Sequence, residues 1–197
     1  MSKTLVKLQY QTIADMVEEK TTALDLGCGS GDLLLKLSQE KSVRGQGIEL
    51  NEEAIHQCVE KGISVFHGDI ERGLIEYPDK AFDYVILNQS MQEVKNVDYV
   101  LEEALRVGRR VIVGFPNFAF IRSRFRLFFS GVVPVTSSLP YRWYDTPNVH
   151  FLSIKDFFGY CQLKKIRILE THFLGKKRPV RFLPNLLASN AIYLLTK

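Results

Sequence analysis

The chain has 197 residues, of which 46% are hydrophobic and 24% are charged, with a net charge of +4. This balance is typical of one globular domain and excludes disordered and low-complexity classes. The mean hydropathy is −0.04, and no apolar run approaches the roughly 20 residues that cross a bilayer, so we expect no membrane span. The N-terminal stretch is charged throughout and is unlike a signal peptide. The three cysteines have neither zinc-ligand nor disulfide-framework spacing, which predicts no metal site and a reducing cytoplasm.

Strand-like and helix-like segments alternate along most of the chain. The hydrophobic periodicity predicts a leading helix over residues 6–19. After it, the pattern predicts strands over 23–26, 64–66, 82–87 and 110–115, and one more strand that ends at 47–50. It also predicts helices over 32–39, 51–60 and 97–107. A helix over 154–161 and strands over 165–173 and 190–196 complete the pattern. Such alternation indicates an α/β fold with a parallel sheet and right-handed crossovers.

Two features qualify this simple alternation. The last two predicted strands lie too close to the end of the given sequence to carry another crossover helix, so we expect them to form an antiparallel pair. Residues 116–150 contain several prolines and many aromatic residues and arginines, which indicates an insertion or lid. We therefore expect a single domain over residues 1–197 with an insertion at about 116–150.

The sharpest motif is a glycine-rich stretch, LDLGCGSGD, at residues 24–32. It follows a predicted strand and opens a predicted helix, and its glycines permit a tight turn and close approach of a ligand. A dinucleotide fingerprint would place its third glycine at position 32, but that residue is Asp32 and the glycine comes one residue earlier, at Gly31. An acid near the helix start disfavours a pyrophosphate. The spacing therefore favours a nucleoside with an amino-acid tail.

Acidic residues follow or end three predicted strands. Glu49 ends the second strand, where a carboxylate accepts hydrogen bonds from ribose hydroxyls. Asp69 follows the third strand, where it is able to accept from an adenine amine, and Asp25 lies in the first. Each alone has a structural explanation, as a turn residue or a solvated strand end. Together, at one edge of the sheet, they predict a nucleoside site.

At these residues the sequence resembles the class I S-adenosylmethionine-dependent methyltransferases. Residues 25–31 match their D-x-G-x-G-x-G motif, Glu49 matches their ribose carboxylate, and Asp69 matches their adenine-contacting acid. The resemblance implies a Rossmann-like fold with a mostly parallel seven-stranded sheet and a C-terminal antiparallel hairpin, and S-adenosyl-L-methionine as cofactor. The predicted cofactor-binding residues are Asp25, Gly27, Cys28, Gly29, Gly31, Glu49, Leu50, Asp69, Ile70 and Asn88.

Over nearly its full length the chain also resembles the methionine biosynthesis protein MetW family. The segments that carry this resemblance are FDYVILNQSMQEV (82–94), LRVGRRVIVGFPNF (105–118) and LPYRWYDTPNVHF (139–151), of which the last is the most specific. The resemblance implies a role in methionine formation, with homoserine O-acyltransferase as a protein partner. The alternative function is an active methyltransferase on an unidentified small-molecule acceptor. The resemblance leaves the enzymatic activity open.

Five residues are candidates for the acceptor side of such a site. Asn88, Gln89 and Gln92 follow the fourth strand and would face the reactive end of the ligand, although Asn88 has an alternative role in satisfying the backbone. Tyr144 and His150 belong to an aromatic segment that forms either a substrate lid or a plug at the end of the sheet. His150 is either an acid or base near neutral pH or a side chain held in place by a hydrogen bond.

A basic and aromatic stretch at residues 118–129 includes Arg122, Arg124 and Arg126. It is compatible with an anionic acceptor, a partner protein, a membrane surface, a nucleic acid or a solvated rim. Arginines at every second position would be spread around a helix, which weakens the membrane interpretation. The net charge of +4 is too modest for nucleic acid. We expect a cytoplasmic protein without a nucleic-acid partner.

Overall fold

The computed structural model describes residues 3–197. Its strands are β1 (Thr22–Leu26), β2 (Arg44–Glu49), β3 (Ser64–His67), β4 (Phe82–Asn88), β5 (Gly108–Pro116), β6 (Arg167–Leu174) and β7 (Asn190–Thr196). They form one sheet in the order β3-β2-β1-β4-β5-β7-β6. Strands β1 to β5 pair in parallel, and β7 is antiparallel to both β5 and β6. The predicted fold class and its antiparallel C-terminal pair are confirmed.

The helices are α1 (Lys3–Met16), α2 (Asp32–Lys41), α3 (Glu52–Glu60), α4 (Val97–Val107), α5 (Ile121–Ser130), α6 (Ile154–Leu163) and α7 (Pro184–Leu187), with a 3-10 helix at Met91–Glu93. The sequence predicted neither α5 nor α7. The leading helix ends three residues before the predicted boundary, because the chain turns toward β1 with Lys20 in the left-handed region at φ 58°. Asn51 caps α3 as predicted, its side chain accepting a hydrogen bond from the Ala54 N–H.

Both faces of the central strands are buried, which explains their unbroken apolar sequences. On one face Val85 of β4 packs in a cluster that includes residues of α4 and α6. On the other face Ile86 packs in a cluster with residues of α1 and α2. Within residues 3–197, no helix combines the length and apolar character needed to cross a membrane. This arrangement leaves the carboxyl edge of the parallel strands uncovered by the flanking helices.

The segment at residues 116–150 leaves the sheet at that same edge and returns to it. The segment contains α5 and then runs without regular structure to its end. There the backbone N–H groups of Val149 and His150 both donate to the Gln92 carbonyl, at 2.9 and 3.0 Å. The insertion is therefore fastened to the loop that follows β4.

Candidate functional site

A cleft of about 570 Å³ opens at the carboxyl ends of the parallel strands. Residues from the loops after β1, β2, β3 and β4 line it. The predicted cofactor residues among them are Gly27, Gly29, Glu49, Leu50, Asp69, Ile70 and Asn88. The other three, Asp25, Cys28 and Gly31, do not line the cleft. This position at the strand ends is where open α/β sheets bind ligands, and the volume falls in the usual range for small-molecule sites.

The glycine loop has a backbone that only glycine adopts without strain. Gly27, Gly29 and Gly31 have φ values of 76°, 54° and 75°. A Cβ at Gly27 would lie 2.8 Å from the Ser90 Cβ, and one at Gly31 would lie 2.9 Å from the Cys58 sulfur. At Gly29 a Cβ would meet nothing within 4 Å. The first and third glycines are therefore required by packing as well as by conformation, whereas Gly29 borders open space in the cleft.

Glu49 holds the glycine loop against the end of β2. Its Oε2 accepts from the Gly29 N–H at 2.8 Å. Its Oε1 accepts from the N–H groups of Leu50 and Asn51, each at 2.9 Å. A carboxylate has about four acceptor positions, so three backbone donors leave about one for a ligand. A ribose diol that uses both hydroxyls would also displace the Gly29 bond and release that amide toward the cleft.

The Asp69 side chain stabilises a turn after β3. Its Oδ1 accepts from the Glu71 N–H at 2.9 Å, which is the structural role considered for this residue. No hydrogen bond within residues 3–197 uses its Oδ2. The side chain therefore combines a turn role with an acceptor that remains for a ligand.

The cleft is predominantly acidic. Four carboxylate residues, Glu49, Asp69, Glu71 and Glu93, line it together with the single cation Lys95. Loss of solvent around its carboxylate, followed by the charge of Glu49, raises the pKa of Glu93 although that residue lies at the exposed rim. Such a field favours a cationic ligand.

Asp25 lies behind the glycine loop and is 3% exposed. Burial, reinforced by the charge of Glu49, raises the pKa of Asp25 to about 7. Near neutral pH the protonated and ionised forms of Asp25 are therefore similarly populated, and a cation bound in the cleft would favour the ionised carboxylate.

Asp32, the residue that departs from the dinucleotide pattern, is paired. The Lys61 ammonium lies 2.5 Å from its Oδ1 and also donates to the Ser30 carbonyl at 2.7 Å. The hydrogen bond from Lys61 lowers the pKa of Asp32. Asp32 thus anchors α3 to the glycine loop, and its repulsion of a phosphate is partly neutralised by Lys61.

The loop after β4 contains four buried polar atoms that have no hydrogen-bond partner within residues 3–197. They are Asn88 Oδ1, Gln89 Nε2, Ser90 Oγ and Gln92 Oε1. Gln89 also has a left-handed backbone at φ 66°. Leaving a buried polar group unpaired costs roughly 1–3 kcal/mol, and strain of this kind concentrates at functional sites. The loop is therefore a polar wall, and its side chains would have to reorient to pair with a ligand because these four atoms have almost no exposed surface.

The structure separates the five acceptor-side candidates. Asn88 and Gln89 line the cleft. Gln92 and His150 line an adjacent pocket of about 290 Å³, where the Gln92 amide donates to the Gln89 carbonyl and His150 Nε2 lies 3.3 Å from the Lys95 carbonyl. Tyr144 is 61% exposed and accepts from Arg142, away from both cavities. The sequence reasoning missed Ser90 and Glu93, although both lie in the 82–94 segment that carries the family resemblance.

The family model described as "Methionine biosynthesis protein MetW" matches residues 7–195. The bifunctional methionine biosynthesis protein MetXA/MetW of Rhodopirellula baltica is 34% identical over 160 residues, which cover 77% of this chain and 26% of that protein. The chain thus spans about a quarter of the length of that relative. The demethylmenaquinone methyltransferase of Oceanobacillus iheyensis is 26% identical over 165 residues, covering 76% of this chain and 68% of that enzyme.

Solved structures with the same fold include S-adenosylmethionine-dependent methyltransferases. The enzyme from Archaeoglobus fulgidus aligns with a TM-score of 0.74 at 16% identity, covering 100% of this chain and 95% of that chain. The enzyme from Aquifex aeolicus aligns with a TM-score of 0.66 at 14% identity, covering 100% and 94%. Because the sequence identities are this low, the structural similarity establishes the class I methyltransferase fold and nothing more specific.

Proposed function

Because this chain belongs to the methionine biosynthesis protein MetW family, we propose that it is an S-adenosyl-L-methionine-binding protein of methionine biosynthesis that acts with homoserine O-acyltransferase in the cytoplasm. It does so as a single domain over residues 1–197 with an insertion at about 116–150. The observation that carries the cofactor assignment is the acidic cleft whose polar wall, from Asn88 to Ser90, has unpaired buried atoms. These features fit a cationic nucleoside.

Each part of the cofactor has a matching group in the cleft. Glu49 would accept from the ribose, Asp69 would accept from the adenine amine, and the backbone of Gly27 and Gly29 would hold the amino-acid tail. Four acidic residues at the cleft complement the positive sulfonium and ammonium groups. Leu50, Ile70 and Asn88 complete the lining, while Asp25, Cys28 and Gly31 support the loop from behind.

The ribose assignment is tested with Glu49→Ala. Losing hydrogen bonds to a charged group removes about 1.5–3 kcal/mol, so calorimetry is expected to give about 10- to 100-fold weaker binding of S-adenosylmethionine and of its demethylated product. Glu52→Ala, an exposed acid in the first turn of α3, is the control and should leave affinity unchanged. Unchanged affinity in the Glu49 variant would contradict the ribose assignment.

The partner assignment is supported by the family resemblance and by the Rhodopirellula relative, whose name joins MetXA and MetW in one chain. We take the MetXA part to be the homoserine O-acyltransferase that the resemblance implies. The test is co-purification of this chain with the acyltransferase of the same organism, with and without S-adenosylmethionine. Association under neither condition would overturn the partner assignment.

A second candidate function is methyl transfer to a small-molecule acceptor. It is favoured by the unpaired Gln89 Nε2 and Ser90 Oγ, which offer hydrogen bonds beyond those that a nucleoside needs. When bound, the cofactor supplies an activated methyl group. In-line displacement then demands positioning and exclusion of water more than an acid or base. Incubating the protein with labelled cofactor and a metabolite extract decides between the two, because tight binding without transfer contradicts the enzyme role alone.

A further inference from the structure

Helix α5 turns its aromatic side toward solvent. Phe125, Phe128 and Phe129 are 55%, 82% and 71% exposed. Their spacing of three and four residues places them on one side of the helix. Ser123 is 2% exposed and faces the body of the protein. A helix that packs on its own domain normally buries the apolar side, so this orientation leaves three phenylalanines for another molecule to cover.

Arginines flank this aromatic stripe on both sides. Arg124 lies on one side, and Arg122 and Arg126, four residues apart, lie on the other. The Arg124 Nε donates to the Ala119 carbonyl at 2.6 Å, and Arg126 reaches the Val135 carbonyl at 3.5 Å. None of the ion pairs within residues 3–197 includes these arginines.

Acidic residues are also absent from the local sequence. Residues 104–144 contain no Asp or Glu, and Lys176 borders the same small cavity as Arg122 and Arg126. The positive charge of the helix is therefore uncompensated on this surface. A complementary surface would carry carboxylates around an apolar centre.

Resting on the proposed function, we propose that this α5 face, formed by Phe125, Phe128 and Phe129 with the three flanking arginines, is the docking surface for homoserine O-acyltransferase. Aromatic residues and arginine are the types enriched at the energetic centre of protein interfaces. The Rhodopirellula relative keeps a MetXA and a MetW part in one chain, which favours the acyltransferase over a lipid surface as occupant. The proposal requires the matching face of the acyltransferase to carry an apolar pocket rimmed by carboxylates.

The insertion that contains α5 is connected to the wall of the cofactor cleft. Helix α5 starts five residues after β5 ends at Pro116, and Gly114 of β5 pairs with Asn88 of the cleft wall. The insertion that contains α5 then returns to hydrogen-bond the Gln92 carbonyl. A partner seated on α5 thus contacts a segment that is joined at both ends to the cleft-lining loop.

The experiment measures the affinity of the full chain for the acyltransferase by calorimetry. We expect Phe128→Ala to weaken binding about 30-fold, as for a central hot-spot residue. Arg124→Glu should also weaken binding, and its effect should be larger at low salt than at high salt because salt screens charge interactions. The matched controls are Phe66→Ala, whose parent side chain is 56% exposed on the edge strand β3, and Arg44→Glu at the start of the neighbouring strand β2. Cofactor affinity and circular dichroism confirm that each variant is folded.

The outcomes separate this proposal from the one on which it rests. Loss of binding in the α5 variants, with the controls unchanged, supports the docking face. Full binding by the α5 variants overturns the face and leaves the partnership intact. No binding by the unaltered chain overturns both. If the α5 variants instead lose sedimentation with phosphatidylglycerol vesicles, or lose self-association measured by light scattering, while still binding the acyltransferase, the face belongs to a membrane or to a second copy and the proposal is wrong.

Discussion

Replacing Asp25 with Asn is expected to remove a pH dependence from the stability of the fold. Asp25 is 3% exposed, and burial followed by the charge of Glu49 raises its pKa from 3.8 to about 7. Between these two values the native state holds a proton that the unfolded state has lost. Unfolding therefore becomes easier as the pH rises from about 4 to about 7, and the effect ends above that range.

The size of the effect follows from the pH interval between the pKa values of Asp25 in the unfolded and native states. One pH unit corresponds to about 1.4 kcal/mol, and the interval from pH 5 to about 7 covers two units. The wild-type chain is thus expected to lose about 3 kcal/mol from this residue between pH 5 and pH 8. The side-chain amide of the Asp25→Asn variant cannot ionise, so that variant should gain about the same amount relative to wild type over the same range.

The assay is urea unfolding followed by far-ultraviolet circular dichroism at pH 5, 6, 7 and 8, with the difference in unfolding free energy plotted against pH. Asp32→Asn, at the first residue of α2, is the control on the other side of the glycine loop. The pKa of Asp32 is lowered by Lys61, so its stabilisation is lost only as the pH falls below the ordinary carboxylate range. If the difference in unfolding free energy between the Asp25→Asn variant and the wild type stayed constant from pH 5 to pH 8, the reasoning would be refuted.

Two further predictions concern the same loop. Gly31→Ala should lower the unfolding free energy by about 1–3 kcal/mol, because φ is 75° and the new Cβ would lie 2.9 Å from the Cys58 sulfur. Gly62→Ala, with φ 71° and open space around it, should cost less, and thermal melts that rank them the other way would contradict the packing argument. Burial raises the pKa of the Cys28 thiol, so alkylation at pH 8 should be much slower in the native than in the urea-unfolded protein. Equal rates by mass spectrometry would contradict this.

The sequence predicted the parts of the fold in which local pattern and burial agree. The runs 84–87 and 111–113 lie in strands that are buried on both faces, so their apolar character was a direct signal. Helix α4 begins and ends at the predicted residues, 97 and 107. Its apolar side faces the core, which is the situation that periodicity arguments assume.

Helix α5 was missed because it breaks that assumption. Its phenylalanines have helical spacing but face solvent, and arginines at every second position do not mark one clean polar face. In the structure Arg124 flanks one side of the apolar stripe, while Arg122 and Arg126 flank the other. The sequence cannot show which side of a helix faces the protein when the apolar side is kept for something else.

In the candidate site, too, some residues are evident from the local sequence and others depend on tertiary contacts. The sequence was sufficient to mark Glu49 and Asp69, because strand ends with a carboxylate have a specific chemical use. It did not mark Glu93 or Ser90, because their positions depend on the 3-10 helix at Met91–Glu93, which only the tertiary contacts define. For the same reason Gln92 lies in the adjacent pocket rather than in the cleft.

The modest net charge of +4 averages two surfaces of opposite charge. Carboxylates line the cleft at the strand ends, and arginines that form no ion pair within residues 3–197 flank the α5 face. The two surfaces are joined by the insertion, since the Val149 and His150 N–H groups bind the carbonyl of Gln92 in the loop that also forms the cleft wall. If cofactor and acyltransferase bind as proposed, a cofactor that orders this loop also favours one arrangement of the insertion. Thermodynamic linkage then requires each ligand to raise the affinity of the protein for the other ligand by the same factor. Equal acyltransferase affinity with and without S-adenosylmethionine would mean that the insertion carries no such coupling and that the two surfaces act independently.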